Sequence, residues 1–324
     1  MSINSTKILL TNTMMIGVIM TICSNNWISM WMGLEISLLS FIPFMQTDNQ
    51  VSSESMIKYF IMQSAASTMM LLSVVTMLIG GSILDEIIMT VAMLIKIGSV
   101  PFHNWVIMVI ESLGYYTIFT LLTILKIPPL SILYQTSSQM LNIPIILSMI
   151  ISSISCLNQS SVRKTLGYSS IYNMAMLMLV INSYYIMMTY LILYSTTMIM
   201  LIFLTKKLKI NFINQMLINE HDMTIKINLW LNMLSMGGFP PLIGFISKLL
   251  VIQMLIFNNE VLLMTIMVLT SMLVIMFYMR MAFTSLMSIS LSKKWMKNKT
   301  NFSYFIMLMN LTLTPLMISL STIT

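Results

Sequence analysis

Stretch after stretch of this chain runs for about 20 residues with almost no charge, the length an α-helix needs to cross the hydrocarbon core of a bilayer. In lipid every backbone N–H and C=O has to be satisfied within the chain, so only helices and closed barrels can span. The apolar runs are too long for barrel strands and lack their strict two-residue alternation. Composition points the same way. Hydrophobic residues make up 58% and charged residues 8%, against about 25% charged in soluble domains, so no water-facing surface can be built. The expectation is an all-α membrane protein, one polytopic domain over residues 1–324.

Apolar runs between polar breaks give about eleven transmembrane helices by hydropathy. Their cores fall near 8–23, 27–46, 56–79, 87–110, 116–134, 141–157, 166–182, 184–205, 227–256, 261–284 and 302–321. The bases test the count. If the N-terminus and the even-numbered connections share a side, that side holds Lys7, Lys58, Arg163, Lys164, Lys206, Lys207, Lys209, Lys226, Arg280, Lys293, Lys294, Lys297 and Lys299. The odd-numbered connections hold none. The positive-inside rule then puts the N-terminus and even loops on the negative side, a matrix or cytoplasm, and the C-terminus opposite. Lys206-Lys207-Leu208-Lys209 and Lys293-Lys294-Trp295-Met296-Lys297 read as interfacial anchors for anionic lipid.

Four ionisable residues stay near span centres: Glu35, Lys96, Lys126 and Lys248. A charge at helix centre costs about 2.5–3.5 kcal/mol on insertion scales, so together they represent a penalty on the order of 10 kcal/mol. A lysine can snorkel, and a Glu–Lys pair can tie helices together. Three lysines without three matching acids, however, cannot all be neutralised by pairing, which favours a functional role.

Five of the eight prolines stand beside these lysines. Lys96 is followed by Gly98 and Pro101, Lys126 by Pro128 and Pro129, and Lys248 is preceded by Gly237, Gly238, Pro240 and Pro241. Proline frees a carbonyl, which a bilayer tolerates only where protein or water satisfies it. Spans four and nine therefore read as two broken helices lining a hydrated interior, in the manner of transporters with inverted repeats. His103 lies two turns beyond Lys96, on the same face if the break preserves register. Imidazole carries protons near neutrality. Lysine can give up its proton where arginine hardly can, so the set is suited to a proton relay.

Other chemistry finds no support. Cys23 and Cys156 belong to no metal-ligand cluster, and His221 with Asp222 lacks a third ligand. No phosphate-cradling or nucleophile motif occurs, and nothing suggests nucleic-acid binding. No redox cofactor of its own is expected. The 40 methionines and the lack of an Arg-rich leader before the first span favour a chain made inside an organelle or a bacterium.

Specific motifs sharpen this reading. Trp31-Met32-Gly33-Leu34-Glu35 with Phe41-Ile42-Pro43 is followed by Ile57-Lys58-Tyr59-Phe60 and by Lys96-Ile97-Gly98 with Pro101-Phe102-His103. Further on come Leu157-Asn158-Gln159 with Arg163-Lys164, Tyr168-Ser169-Ser170-Ile171, and Gly237-Gly238-Phe239-Pro240-Pro241 with Gly244-Phe245 and Lys248. In this order the chain resembles the mitochondrially encoded subunit 2 family of NADH:ubiquinone oxidoreductase, respiratory complex I. The resemblance implies an antiporter-like core at about 27–256 followed by C-terminal helices at about 261–321. It implies that the positions of Glu35, Lys96, Lys126 and Lys248 form a midplane polar axis for protons, beside which the spacing reading sets His103 as a relay. NADH, FMN, iron–sulfur clusters and ubiquinone would sit in partner subunits. Partners would be other membrane-arm subunits, an anionic phospholipid such as cardiolipin, and protons and water. The implied location is the mitochondrial inner membrane, N-terminus in the matrix and C-terminus on the intermembrane side. The alternative is an independent monovalent cation/proton antiporter of the same fold. One departure concerns the site: Ile124-Leu125 precede Lys126 where the family usually has Trp-Gln, leaving that lysine less polar surroundings.

Overall fold

A computed structural model describes residues 5–47, 50–80, 83–136, 139–218, 223–287, 307–310, 312 and 315. Among these residues the chain is helical, and the sole pairing of strand type is an isolated antiparallel bridge between Ser161 and Phe212. Two compact units divide it, Met1–Ser148 and Met149–Thr324.

The first unit comprises α1 (Ser5–Cys23), α2 (Trp27–Met45), α3 (Gln50–Gly80), α4 (Ile83–Ile97), α5 (Asn104–Ser112), α6 (Tyr115–Leu122), a 3-10 turn (Ile124–Lys126) and α7 (Ile127–Thr136). Helix α8 (Asn142–Leu157) runs across the division. The second unit holds α9 (Val162–Leu179), α10 (Tyr184–Leu208), the short α11 (Gln215–Ile218), α12 (Met223–Gly237), α13 (Ile243–Phe257) and α14 (Val261–Met287). Six segments are long and apolar enough to cross a membrane: α1, α2, α3, the α6–α7 run, α10 and α14. Helices α8 and α13 are apolar but shorter.

Small residues set the closest approach in the first unit. A Cβ added at Gly33 would fall 2.6 Å from Thr21 Cγ2 and 2.8 Å from the Gly17 carbonyl, so α1 and α2 meet backbone to backbone. Many Ser and Thr hydroxyls are satisfied within their own helices. Thr21 donates to the Val18 carbonyl at 2.7 Å and Ser37 to that of Leu34 at 2.8 Å, the local bonding that lets Ser and Thr side chains sit inside an apolar helix bundle. Helix α3, at 31 residues, is about 46 Å long. That exceeds the hydrocarbon core, and its first turns carry the exposed pair Lys58–Glu54 at 3.8 Å.

Three of the predicted spans are interrupted, not two. Spans four and nine divide into α4/α5 and α12/α13. Span five, expected as one helix, also breaks, and its prolines say why. Pro128 and Pro129 have no N–H for the carbonyls of Ile124 and Leu125, and the Pro128 ring crowds the Ile124 carbonyl. The chain tightens to a 3-10 turn at Ile124–Lys126, closed by the Ile127 N–H donating to Ile124, and α7 begins with its prolines in the first turn.

Lys226, counted with the connections, lies on the first turn of α12 and is buried. Arg280, on α14, donates to the carbonyls of Leu157 at 3.1 Å and Gln159 at 3.3 Å, which gives the C-terminal end of α8 a partner. His221, Asp222, Lys293, Lys294, Lys297 and Lys299 lie outside the described residues, as does most of the span predicted at 302–321. One described residue of that span, Asn310, is buried and donates to Asn232 Oδ1 on α12 at 2.7 Å.

Candidate functional site

A helix that stops inside apolar surroundings leaves its last four carbonyls without partners. Each of the last four carbonyls of α4 has found one. Leu94 accepts from Ser99 N–H at 3.2 Å, and Ile95 from Gly98 N–H at 3.1 Å, the paired bonds of a Schellman cap. Ile95 accepts in addition from the Trp105 indole at 3.1 Å. Lys96 accepts from the Gln63 amide at 3.4 Å. Ile97, the last, accepts from the ammonium of Lys126 at 2.5 Å. Gly98 makes the turn possible: its φ of +71° is left-handed, and a Cβ there would lie 2.2 Å from Val106 Cγ2.

The two lysines thus converge on one helix end, both buried, Lys96 on the last turn of α4 and Lys126 from the 3-10 turn. A helix C-terminus carries about half a negative charge, so it can compensate an ammonium where no carboxylate does. Between them is a cavity of about 20 Å³, lined in its polar part by Ser37, Tyr59, Gln63, Lys96, Trp105 and Lys126. That is room for about one water, with several polar groups to hold it. Leu125 contributes to its apolar wall. Tyr59 packs edge-on against Phe41, at 5.1 Å, and tilted against Trp105, at 5.8 Å, which holds the indole donor in place.

Glu35, half-buried on α2, is in electrostatic reach of Lys96 and Tyr59 but forms no close ion pair, and its Oε1 has no hydrogen-bond partner among the described residues. His103 is placed differently from the expectation. The chain leaves helical geometry at Gly98 and re-enters it at Asn104, so the register linking His103 to the face of Lys96 is lost. His103 occupies the N-cap position of α5, half-buried, and is not part of the cavity wall. Pro101 lies in the turn between, exposed.

The second unit repeats the arrangement. Helix α12 ends at Gly237 with a Schellman cap of the same form: Phe239 N–H to Leu234 O at 3.1 Å, and Gly238 N–H to Ser235 O at 3.0 Å. Gly238 has a φ of +79°. The terminal carbonyl, that of Gly237, accepts from the ammonium of Lys248 on α13 at 2.5 Å. Lys248 is buried, its side chain laid against Gly238, where a Cβ would fall 2.6 Å from Lys248 Cε. Pro240 and Pro241 fill the turn before α13.

Each unit therefore holds a broken helix whose final carbonyl is capped by a lysine from a different segment. The sequence pattern marked the lysines, glycines and prolines. It did not mark Tyr59, Gln63 or Trp105, which act as donors or wall only through tertiary contact, and no spacing rule links them to Lys96.

Comparison with known proteins identifies the family. The transmembrane family described as NADH:quinone oxidoreductase/Mrp antiporter matches residues 24–274. NADH-ubiquinone oxidoreductase chain 2 of Anopheles gambiae is 36% identical over 299 residues, covering 89% of this chain and 87% of that one. The chain 2 protein of Locusta migratoria is 35% identical over 306 residues, with coverages of 90% and 89%. Among solved structures, respiratory complex I from Thermus thermophilus with bound aureothin contains a chain that superposes with a TM-score of 0.80 at 18% identity, covering 94% of this chain and 76% of that one. A chain of the Mrp complex from Dietzia superposes with a TM-score of 0.74 at 14% identity, covering 84% and 59%.

Proposed function

Since the chain belongs to the family of NADH-ubiquinone oxidoreductase chain 2, within the transmembrane group shared with Mrp antiporters, we propose that its lysine-capped helix breaks are the proton-carrying stations of a complex I membrane-arm subunit. It is a multi-pass protein of the mitochondrial inner membrane that works with other membrane-arm subunits in proton translocation. The observation that carries the station reading is the repeated cap, Lys126 on Ile97 and Lys248 on Gly237.

Protonation and conformation are coupled at such a cap. A hydrogen bond from a charged donor contributes about 1.5–3 kcal/mol and a neutral one about 0.5–1.5 kcal/mol. An ammonium that loses its proton loosens its hold on the helix end, and a fresh proton restores it. In this scheme Glu35 biases Lys96, Lys96 and Lys126 share the first break, His103 passes protons toward it, and Lys248 serves the exit side. The repeated break supports an inverted-repeat origin for the two units. We assign eleven crossings to the full chain, with the N-terminus in the matrix and the C-terminus on the intermembrane side, from the distribution of bases. Redox chemistry is assigned to partner subunits carrying NADH, FMN, iron–sulfur clusters and ubiquinone, and this chain is a non-redox component. Its basic segments are assigned to anionic phospholipid such as cardiolipin.

The family match and the Mrp superposition favour one second reading, a free-standing cation/proton antiporter. Co-purification separates the two. The complex I reading expects the chain only in an assembly with NADH dehydrogenase activity, and recovery of a free, ion-exchanging chain would replace it. Within the assembly, Lys248→Ala is expected to lower the protons moved per NADH oxidised. An unchanged ratio would remove Lys248 from the path.

A further inference from the structure

Helix α12 carries a buried polar stripe that the lysine scheme leaves unused. Asn228, Asn232 and Ser235 recur at i, i+4 and i+7, on one face of the helix, and each is at most 1% exposed. Within the stripe the Asn232 amide donates to the Asn228 carbonyl at 2.9 Å, and the Ser235 hydroxyl donates to the Asn232 carbonyl at 2.8 Å. From outside it, the amide of Asn310 donates to Asn232 Oδ1 at 2.7 Å. Asn310 is fully buried and lies beyond residues 24–274, the part that the transmembrane family matches.

Holding two segments together does not account for this. Amide bonds between membrane helices are on average weak, and leucine at both positions would pack without burying amide groups. Asn310 Oδ1 is buried with no hydrogen-bond partner among the described residues, a cost that leucine avoids. The stripe runs instead into the helix break. Gly238 N–H donates to the Ser235 carbonyl at 3.0 Å, so hydrogen bonds lead from Asn310 through Asn232 and Ser235 to the turn at Gly238. Against that turn lies the stem of Lys248, whose ammonium donates to the Gly237 carbonyl at 2.5 Å. Helix α13 closes on the same point: a Cβ added to Gly244, one turn before Lys248, would fall 1.7 Å from the Ser235 oxygen. Asn232 and Gly237 belong to one continuous helix and stand about 7.5 Å apart along its axis. A shift of α12 at Asn232 is therefore carried to the carbonyl that Lys248 caps.

We propose that Asn310 and Asn232 are a positioning pair for the second station, by which the C-terminal segment holds α12 at the height where the Gly237 carbonyl meets the Lys248 ammonium. Neither asparagine handles the proton. The inference rests on the reading of Lys248 as a proton carrier, and the test separates the two.

Asn310→Leu keeps the bulk of the side chain and removes the bond to Asn232. Protons moved per NADH oxidised, measured in inner-membrane vesicles containing the intact complex, are expected to fall toward the value of Lys248→Ala. Because the ratio is taken per NADH, a smaller amount of complex alone does not move it. With Lys248→Ala already in place, adding Asn310→Leu is expected to lower the ratio no further, and an additional fall would overturn the proposal by showing that Asn310 acts elsewhere. A native ratio in Asn310→Leu with a lowered one in Lys248→Ala would overturn the positioning pair and leave the lysine reading standing. Native ratios in both would overturn both. Asn310→Ala removes the same bond without adding apolar bulk and is expected to behave as Asn310→Leu does. Failure of both Asn310 variants to assemble would overturn the proposal, because the bond would then be structural.

Discussion

The Lys248 ammonium lies 2.5 Å from the Gly237 carbonyl, so the C-terminal end of α12 is held by a side chain from the helix that follows its own break. A lysine in apolar surroundings needs compensation, and a terminal carbonyl there needs a donor. Each answers the other. Lys126 and Ile97 are related in the same way, so the charge penalty read from the sequence and the exposed helix end are two halves of one arrangement.

Substitutions at Lys248 should separate capping from proton release. Lys248→Met leaves the Gly237 carbonyl unsatisfied, at about 1–3 kcal/mol, and should lower both the amount of assembled complex and the protons moved per NADH. Lys248→Arg keeps a donor but hardly deprotonates. It should retain more assembled complex than the methionine variant while pumping as poorly. Native pumping by the arginine variant would mean that release of this proton is not required.

Gly98→Ala should be costly and Gly80→Ala should not. At Gly98 the left-handed φ of +71° costs a side chain about 1–2 kcal/mol, and the new Cβ would meet Val106 Cγ2 at 2.2 Å. At Gly80 nothing lies within 4 Å of an added Cβ. The Tm of the detergent-extracted complex reads the difference. Equal values would show that α4 can end without the left-handed turn.

On α2, Gly33→Leu should push α1 away, since even a Cβ falls 2.6 Å from Thr21 Cγ2. Overpacking of this kind costs about 1–3 kcal/mol, and Glu35 is displaced with its helix. Met32→Ala, at a 48% exposed position next door, is the control. Comparing the assembled complex in the two variants checks whether the contact between α1 and α2 is as close as Gly17 and Gly33 indicate.

The helices were legible because apolar runs of bilayer length leave little choice, and the glycine and proline clusters at 98–101 and 237–241 mark where α4 gives way to α5 and α12 to α13. What escaped was tertiary. Gln63 and Trp105 cap α4 from positions 33 and 10 residues away, and nothing local in a polar or aromatic residue says which carbonyl it will meet. The alignment of His103 with the face of Lys96 escaped for a different reason. A two-turn spacing carries meaning only while the helix continues, and Gly98 ends it.

Pro128 and Pro129 could be read either as kinks or as a break, and the 3-10 turn before them decides for a break. That turn aims Lys126 at Ile97. Pro128→Ala with Pro129→Ala returns two N–H donors to the carbonyls of Ile124 and Leu125, letting an α-helix run from α6 into α7. In the native break the prolines stand in the first turn of α7, where they cost little, so the gain is the restored helix hydrogen bonds, about 0.5–1.5 kcal/mol each, read as a modestly higher Tm of the intact complex. Regular 3.6-residue geometry would turn Lys126 away from the Ile97 carbonyl. Protons moved per NADH should therefore fall although stability rises, opposite to the paired losses expected from Lys248→Met. A native ratio with a raised Tm would show that the break at Lys126 serves folding rather than transport.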